Sequence, residues 1–230
     1  MRFVLFDIDG TLLSTRGAGK RAMEAALEQH FETVGPAGYR YDGKTDRQIA
    51  RELMRAAGFS DAVINARMPA LLESYVVRLH AELAATPDAL EVYAGVETLL
   101  DALDARADAV VGLLTGNIQE GAHAKLAATG IGAARFRVNA FGSDDERRGA
   151  LPAVARARAA AFVGQDVSGD ALVIIGDTPS DVTCGREIGA RAIGVATGNY
   201  GAESLAAYEP AAVFNDLSDT LRVVQAILDA

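Results

Sequence analysis

Residues 2–11 read Arg2-Phe3-Val4-Leu5-Phe6-Asp7-Ile8-Asp9-Gly10-Thr11. A short apolar run ends on a carboxylate, and a second carboxylate and a glycine follow. The run predicts a buried strand whose C-terminal end is Asp7. Two more stretches have the same form: Ala109-Val110-Val111-Gly112-Leu113-Leu114 leads into Thr115-Gly116-Asn117, and residues 171–175 lead into Gly176-Asp177. Residues 192–196 and 212–214 are further strand candidates. Runs that are apolar throughout predict strands covered on both faces, and hence a parallel sheet.

Helical patterns separate these strands. Val96, Leu99, Leu100 and Leu103 recur at helix spacing, residues 151–162 are rich in Ala and Arg, and Leu217, Leu221, Val224, Ile227 and Leu228 outline a C-terminal amphipathic helix. Strand–helix alternation predicts an α/β doubly wound fold with a mainly parallel sheet. Residues 15–89 break the alternation. They hold helical stretches at 19–31, 46–57 and 61–84, with turn signals at Gly35-Pro36-Ala37-Gly38 and Thr86-Pro87-Asp88. The expected organisation is an α/β core from residues 1–14 and 90–230, with an inserted helical cap at 15–89.

The chain has 230 residues, half of them hydrophobic, which is ample for a core and excludes a disordered chain. Its net charge of -9 argues against nucleic acid or an anionic membrane surface as a partner. No apolar run reaches the roughly 20 residues of a membrane span. The only cysteine, Cys184, rules out an internal disulfide and fits a reducing, cytoplasmic setting.

Ligands of open α/β sheets bind beyond the carboxyl ends of the strands. Three of the expected strand ends carry Asp7 and Asp9, Thr115 and Asn117, and Asp177 and Asp181. Convergent carboxylates repel one another, and a hard divalent cation relieves that repulsion. Mg²⁺, which prefers oxygen ligands and keeps waters that a phosphate oxygen can replace, is the expected cofactor.

These residues also carry a resemblance. Asp7-Ile8-Asp9-Gly10-Thr11 resembles the first motif of the haloacid dehalogenase superfamily, Leu114-Thr115-Gly116-Asn117 the second, and Gly176-Asp177-Thr178-Pro179-Ser180-Asp181 the fourth. The helical insert resembles the cap of the phosphoglycolate phosphatase and beta-phosphoglucomutase branch. The resemblance implies that Asp7 is a nucleophile forming an aspartyl-phosphate, with Asp9 as acid and base and as a backbone ligand of Mg²⁺. It implies that Thr115, Gly116 and Asn117 bind the phosphoryl group. Asp177 would ligate Mg²⁺ beside Asp7 and Asp9, with Asp181 behind it or bound through water. The third motif should supply a cation. No lysine follows Lys125, which leaves Arg147 and Arg148, and Arg147 is slightly favoured.

Within the insert, Gly43-Lys44-Thr45-Asp46 resembles the cap segment that faces the active site in phosphoglycolate phosphatases. Lys44 is the expected substrate contact, Asp46 a helix cap, and Arg16 and Arg47 lesser candidates for an anionic substrate. The implied activity is Mg²⁺-dependent hydrolysis of a small phosphomonoester by a monomer or homodimer. The alternatives are a phosphomutase and a non-catalytic binding protein of the same fold. The second acid, Asp9, argues against dehalogenase and phosphonatase chemistry.

Other patterns carry less. Gly17, Gly19 and Ala22 loosely match a dinucleotide-binding spacing, but no strand ends just before them. His30, His80 and His123 have no metal spacing, and Gly198-Asn199-Tyr200-Gly201 reads as a turn.

Overall fold

The computed structural model describes residues 1–230. It has eight strands: β1 (Arg2–Phe6), β2 (Leu13–Ser14), β3 (Glu91–Val92), β4 (Ala109–Leu114), β5 (Val138–Ala140), β6 (Leu172–Gly176), β7 (Arg191–Val195) and β8 (Ala212–Phe214). Six of them form one sheet in the order β5-β4-β1-β6-β7-β8, every neighbouring pair parallel. The other two, β2 and β3, pair antiparallel where the chain leaves and re-enters the sheet region. This small ribbon and the short edge strand β5 are not predicted by the runs above. Strands β2 and β3 have two residues each, and β5 carries Asn139 between Val138 and Ala140, so none shows an uninterrupted apolar run.

The nine helices are α1 (Ala18–Phe31), α2 (Asp46–Ala56), α3 (Asp61–Ala85), α4 (Val96–Asp104), α5 (Gln119–Ala128), α6 (Leu151–Val163), α7 (Pro179–Cys184), α8 (Ala202–Ala206) and α9 (Thr220–Asp229). The strand alternation explains why both sheet faces are covered. Val4 and Phe6 of β1 pack with Leu99 and Leu103 of α4 and with Val223 and Ile227 of α9. Phe3 and Leu5 point the other way and pack with Leu151, Ala155 and Ala159 of α6. The C-terminal helix begins later than its apolar spacing predicts. Leu217 is buried just before it, Leu221 is exposed, and Val223 and Ile227 form its buried face.

Helices α1, α2 and α3 stand off the sheet and share their own apolar cluster, built from residues such as Met23, Leu27, Leu53, Leu71 and Tyr75. Ile118 and Ala124 belong to that same cluster, so it continues onto α5 and ties the helical insert to the sheet region.

The return from the insert passes through Gly95, at φ 83°, which leads into α4. A Cβ there would lie 2.1 Å from the backbone carbonyl of Leu217. Only glycine meets both conditions. Gly95→Ala is therefore expected to destabilise the fold by about 3 kcal/mol, from the left-handed backbone and the overpacking together. Urea unfolding measures this, and a loss below about 1 kcal/mol would show that the turn relaxes freely.

Candidate active site

Strands β4, β1 and β6 lie side by side at the centre of the sheet, and the chain reverses direction across the sheet there. Phe6 of β1 is level with Leu113 on one side and with Ile175 on the other. Asp7, Thr115 and Asp177 thus emerge within a residue or two of one level. A polar cavity of 530 Å³ opens above them. Only five of its 28 lining residues are hydrophobic, so it suits a small, hydrophilic ligand.

Carboxylate oxygens of Asp7, Asp177 and Asp181 lie within 4.8 Å of one another. Such a group is costly to hold in charged form. Burial pushes Asp7 up to about 6, with Asp181 and Asp9 adding to the rise and Arg148 opposing it. Burial, and then the carboxylates of Asp181 and Asp7, push Asp177 up to about 9. Asp177 is wedged between two glycines: a Cβ on Gly10 would lie 2.4 Å from its Oδ2, and one on Gly198 would lie 1.8 Å from it. Gly10 also sits at φ 84°, turning the chain between Asp9 and Thr11. Thr11 Oγ1 donates to Asp177 Oδ1 at 3.2 Å.

Asp181 has both oxygens engaged. Its Oδ2 accepts from Thr178 N at 3.0 Å and Thr178 Oγ1 at 2.7 Å, in the capping box of α7. Its Oδ1 takes the guanidinium of Arg148. The carboxylates with oxygens available to a cation are therefore Asp7 and Asp177. An all-oxygen donor set of this kind fits a hard divalent ion.

Of the two arginines, Arg148 and not Arg147 reaches the carboxylates. Arg148 is buried, with Nη2 3.3 Å from Asp7 Oδ1 and in contact with Asp181. Arg147 is extended and its side chain is 83% exposed, pairing with Asp145 at 3.4 Å. Its backbone N–H also donates to Asp145 Oδ1 at 2.7 Å, which fixes the loop. The tight turn that starts at Arg148 directs the second side chain inward and leaves the first in solvent. Adjacent arginines look alike in sequence, and the turn separates them. Arg148 Nε is buried without a partner.

The second strand end forms a linked set. Asn117 Nδ2 donates to Thr115 Oγ1 and to Asp9 Oδ2, each at 2.8 Å. The ammonium of Lys125, from α5, lies 2.6 Å from both Asp9 Oδ2 and Asn117 Oδ1. Lys125 was not expected at the site. Its signal is faint: a single charge among Gly121, Ala122, Ala124 and Leu126 on the buried side of a helix. A helical side chain leans toward the helix N-terminus, which carries this one back to Asn117.

The insert meets the strand ends by backbone. Asp46 N donates to the carbonyl of Gly116 at 2.9 Å, and a Cβ on Gly116 would lie 2.0 Å from the carbonyl oxygen of Lys44. Asp46 is not the cap of α2. Thr45 takes that role, accepting from Gln48 N at 3.1 Å, while Asp46 Oδ2 accepts from Ile118 N at 2.8 Å. The side chain of Lys44 lines the cavity, but its ammonium binds Glu52 at 2.8 Å and Tyr39 at 2.9 Å. Arg16 lines the cavity and pairs with Glu91, whereas Arg47 faces a separate groove. Gly198 and Asn199 stand at the cavity wall, and Asn199 Nδ2 donates to Asp42 Oδ1 of the insert at 2.7 Å. The stretch read as a turn thus bridges the two parts. Burial pushes the Cys184 thiol up to about 12, so it stays protonated.

No helix is long and apolar enough to cross a membrane. No curated protein matches the chain in sequence. Among solved structures, a hydrolase from Pseudomonas syringae matches at 21% identity and TM-score 0.72, over 97% of each chain. A protein described as a predicted phosphoglycolate phosphatase from Haemophilus somnus matches at 17% and 0.69, over 98% of each. A candidate beta-phosphoglucomutase from Thermotoga maritima matches at 21% and 0.61, over 98% of this chain and 99% of its own. At such identities the likeness establishes the fold alone. The sequence model of haloacid dehalogenase-like hydrolases matches residues 4–186, a span that includes Asp7, Thr115, Arg148 and Asp177, and the chain belongs to that family.

Proposed function

We propose that this protein is a Mg²⁺-dependent phosphatase that hydrolyses a small phosphomonoester through an aspartyl-phosphate on Asp7. The observation that carries the reading is the pairing of buried Asp7 with Arg148, beneath a polar cavity that Asp9 also lines. Phosphoryl transfer needs a nucleophile, neutralisation of the equatorial oxygens and a proton for the leaving group, and these residues match those needs.

In the first step an oxygen of Asp7 bonds to phosphorus while the ester P–O bond breaks. Asp9 passes a proton to the departing oxygen. In the second step water attacks phosphorus, Asp9 takes its proton, and phosphate leaves Asp7. Arg148 offsets charge on Asp7 and on the phosphoryl oxygens. Thr115 and the backbone amide of Gly116, both at the cavity wall, supply further donors. Asp7 and Asp177, with the backbone carbonyl of Asp9, would hold Mg²⁺. When bound, the ion neutralises carboxylate and phosphoryl charge. The helical insert acts as the cap that shields the site from water. Lys20, Lys44 and Arg16 at the cavity wall are cations that an anionic metabolite such as phosphoglycolate would compete for with Glu24, Glu52 and Glu91. The setting in which it works is proposed to be cytoplasmic.

Asp7→Asn is expected to abolish phosphate release from a panel of phosphomonoesters, with the far-ultraviolet circular dichroism unchanged. Appreciable turnover in that variant excludes the aspartyl-phosphate route. Arg148→Ala should lower kcat/KM by on the order of 10²-fold or more, since it removes preorganised charge stabilisation. It should also destabilise the fold by about 3 kcal/mol by leaving Asp7 and Asp181 buried without their cation. Arg147→Ala should stay within about 0.5 kcal/mol of the parent protein.

The carboxyls also dictate a pH dependence. Asp177 is raised from 3.8 to about 9 in the folded chain. Its contribution to metal-free stability is therefore fully present at low pH and is lost as pH rises through about 9. Bound Mg²⁺ favours the ionised form and competes with the proton. The rise in Tm on adding millimolar Mg²⁺ should accordingly be larger at pH 8.5 than at pH 6. An equal rise at both would separate metal binding from these carboxyls.

A further inference from the structure

Lys125 is buried, with a side chain only 5% exposed, and no step above uses it. Its ammonium and the amide of Asn117 converge on the same atom, Asp9 Oδ2, at 2.6 and 2.8 Å. Asn117 is itself fixed at both ends, because Nδ2 also meets Thr115 Oγ1 and Oδ1 accepts from Lys125. The other oxygen of Asp9 has no protein donor, and Asp9 lines the cavity. The space for the ammonium depends on Gly19 of α1, where a Cβ would lie 3.1 Å from Nζ. The nearby polar groups of the insert, Asp46 and Tyr75, are both buried.

We propose that Lys125 is a positioning residue for Asp9. It pins Oδ2, together with Asn117, so that Oδ1 carries the proton delivered to the leaving oxygen as the Asp7–phosphorus bond forms and the ester P–O bond breaks. This rests on the phosphatase reading above. A carboxyl acting as an acid must be held within hydrogen-bond reach of the departing oxygen, and a side chain three residues past the end of β1 has no such restraint from the sheet. A purely structural role, balancing the charge of Asp46, makes a different prediction about which substrates suffer.

The experiment compares kcat/KM for 4-nitrophenyl phosphate, whose leaving group departs without a proton, with that for the best alkyl phosphomonoester of a panel. This constant reports the steps through departure of the leaving group. Lys125→Met should lower the alkyl value by on the order of 10²-fold, and the aryl-to-alkyl ratio should rise about tenfold or more. Gly19→Ala, which crowds the ammonium while placing a better helix former in α1, should move the ratio the same way by a smaller factor. In an Asp9→Ala background, Lys125→Met should not change the ratio further. Equal losses for both esters, or a shift that persists without Asp9, overturn the proposal. If Lys125→Met does not fold, Gly19→Ala decides by the same ratio. If the unaltered protein shows no Asp7-dependent release from either ester, the phosphatase reading itself fails, and the proposal falls with it.

Discussion

The structure depends on one electrostatic constraint: carboxylates brought together at the ends of β1 and β6 must be buried without being left to repel one another. Desolvation raises both Asp7 and Asp177, and their neighbours raise them further. Arg148 answers part of this charge by pairing with Asp7 and Asp181. A cation with oxygen ligands would answer more. Much of the local architecture follows. The glycines beside Asp177 are small because the carboxylate fills their Cβ space, and Asp181 caps α7 while it holds the arginine.

A second constraint is how closely the helical insert can approach. Its contact with the strand ends is made largely by backbone: Gly116 against Lys44, and Asp46 N to the Gly116 carbonyl, while Thr45 Oγ1 donates to the Glu146 carbonyl at 2.7 Å. Side-chain contacts add to it, with Arg51 binding Glu146 at 2.5 Å and Asn199 binding Asp42 at 2.7 Å. Such contacts fix where the insert sits over the cavity, and they leave the cavity wall polar. Lys44 shows the consequence, because its chemistry suits an anion while its ammonium is held by Glu52 and Tyr39. An anionic substrate would have to compete with those partners.

The sheet was legible because β1, β4 and β6 are buried on both faces and therefore carry uninterrupted apolar runs that end on polar residues. Helices α1, α2 and α3 were legible from their periodicity. Strands β2, β3 and β5 were not, since β2 and β3 have two residues each, β5 is interrupted by Asn139, and their pairing comes from the neighbours. The C-terminal helix shows an intermediate case. Its apolar residues were recognised, but Leu221 lies outside and Leu217 is buried ahead of it.

The sequence by itself determined which residues stand at the ends of the central strands, because a strand end is a local event marked by an apolar run giving way to Asp7, Thr115 or Asp177. It could not distinguish Arg147 from Arg148, two identical side chains one residue apart. A turn that faces one to solvent and the other to Asp7 decides that, and the turn is set by packing and by the Asp145 hydrogen bond. Lys125 is the same lesson at longer range. Its partner Asp9 is 116 residues away in the chain, and no local pattern encodes a contact made only when α5 comes beside the segment that follows β1. Residue types and spacing are one-dimensional, whereas the pairing of charges depends on which surfaces are buried together, and only the tertiary structure decides that.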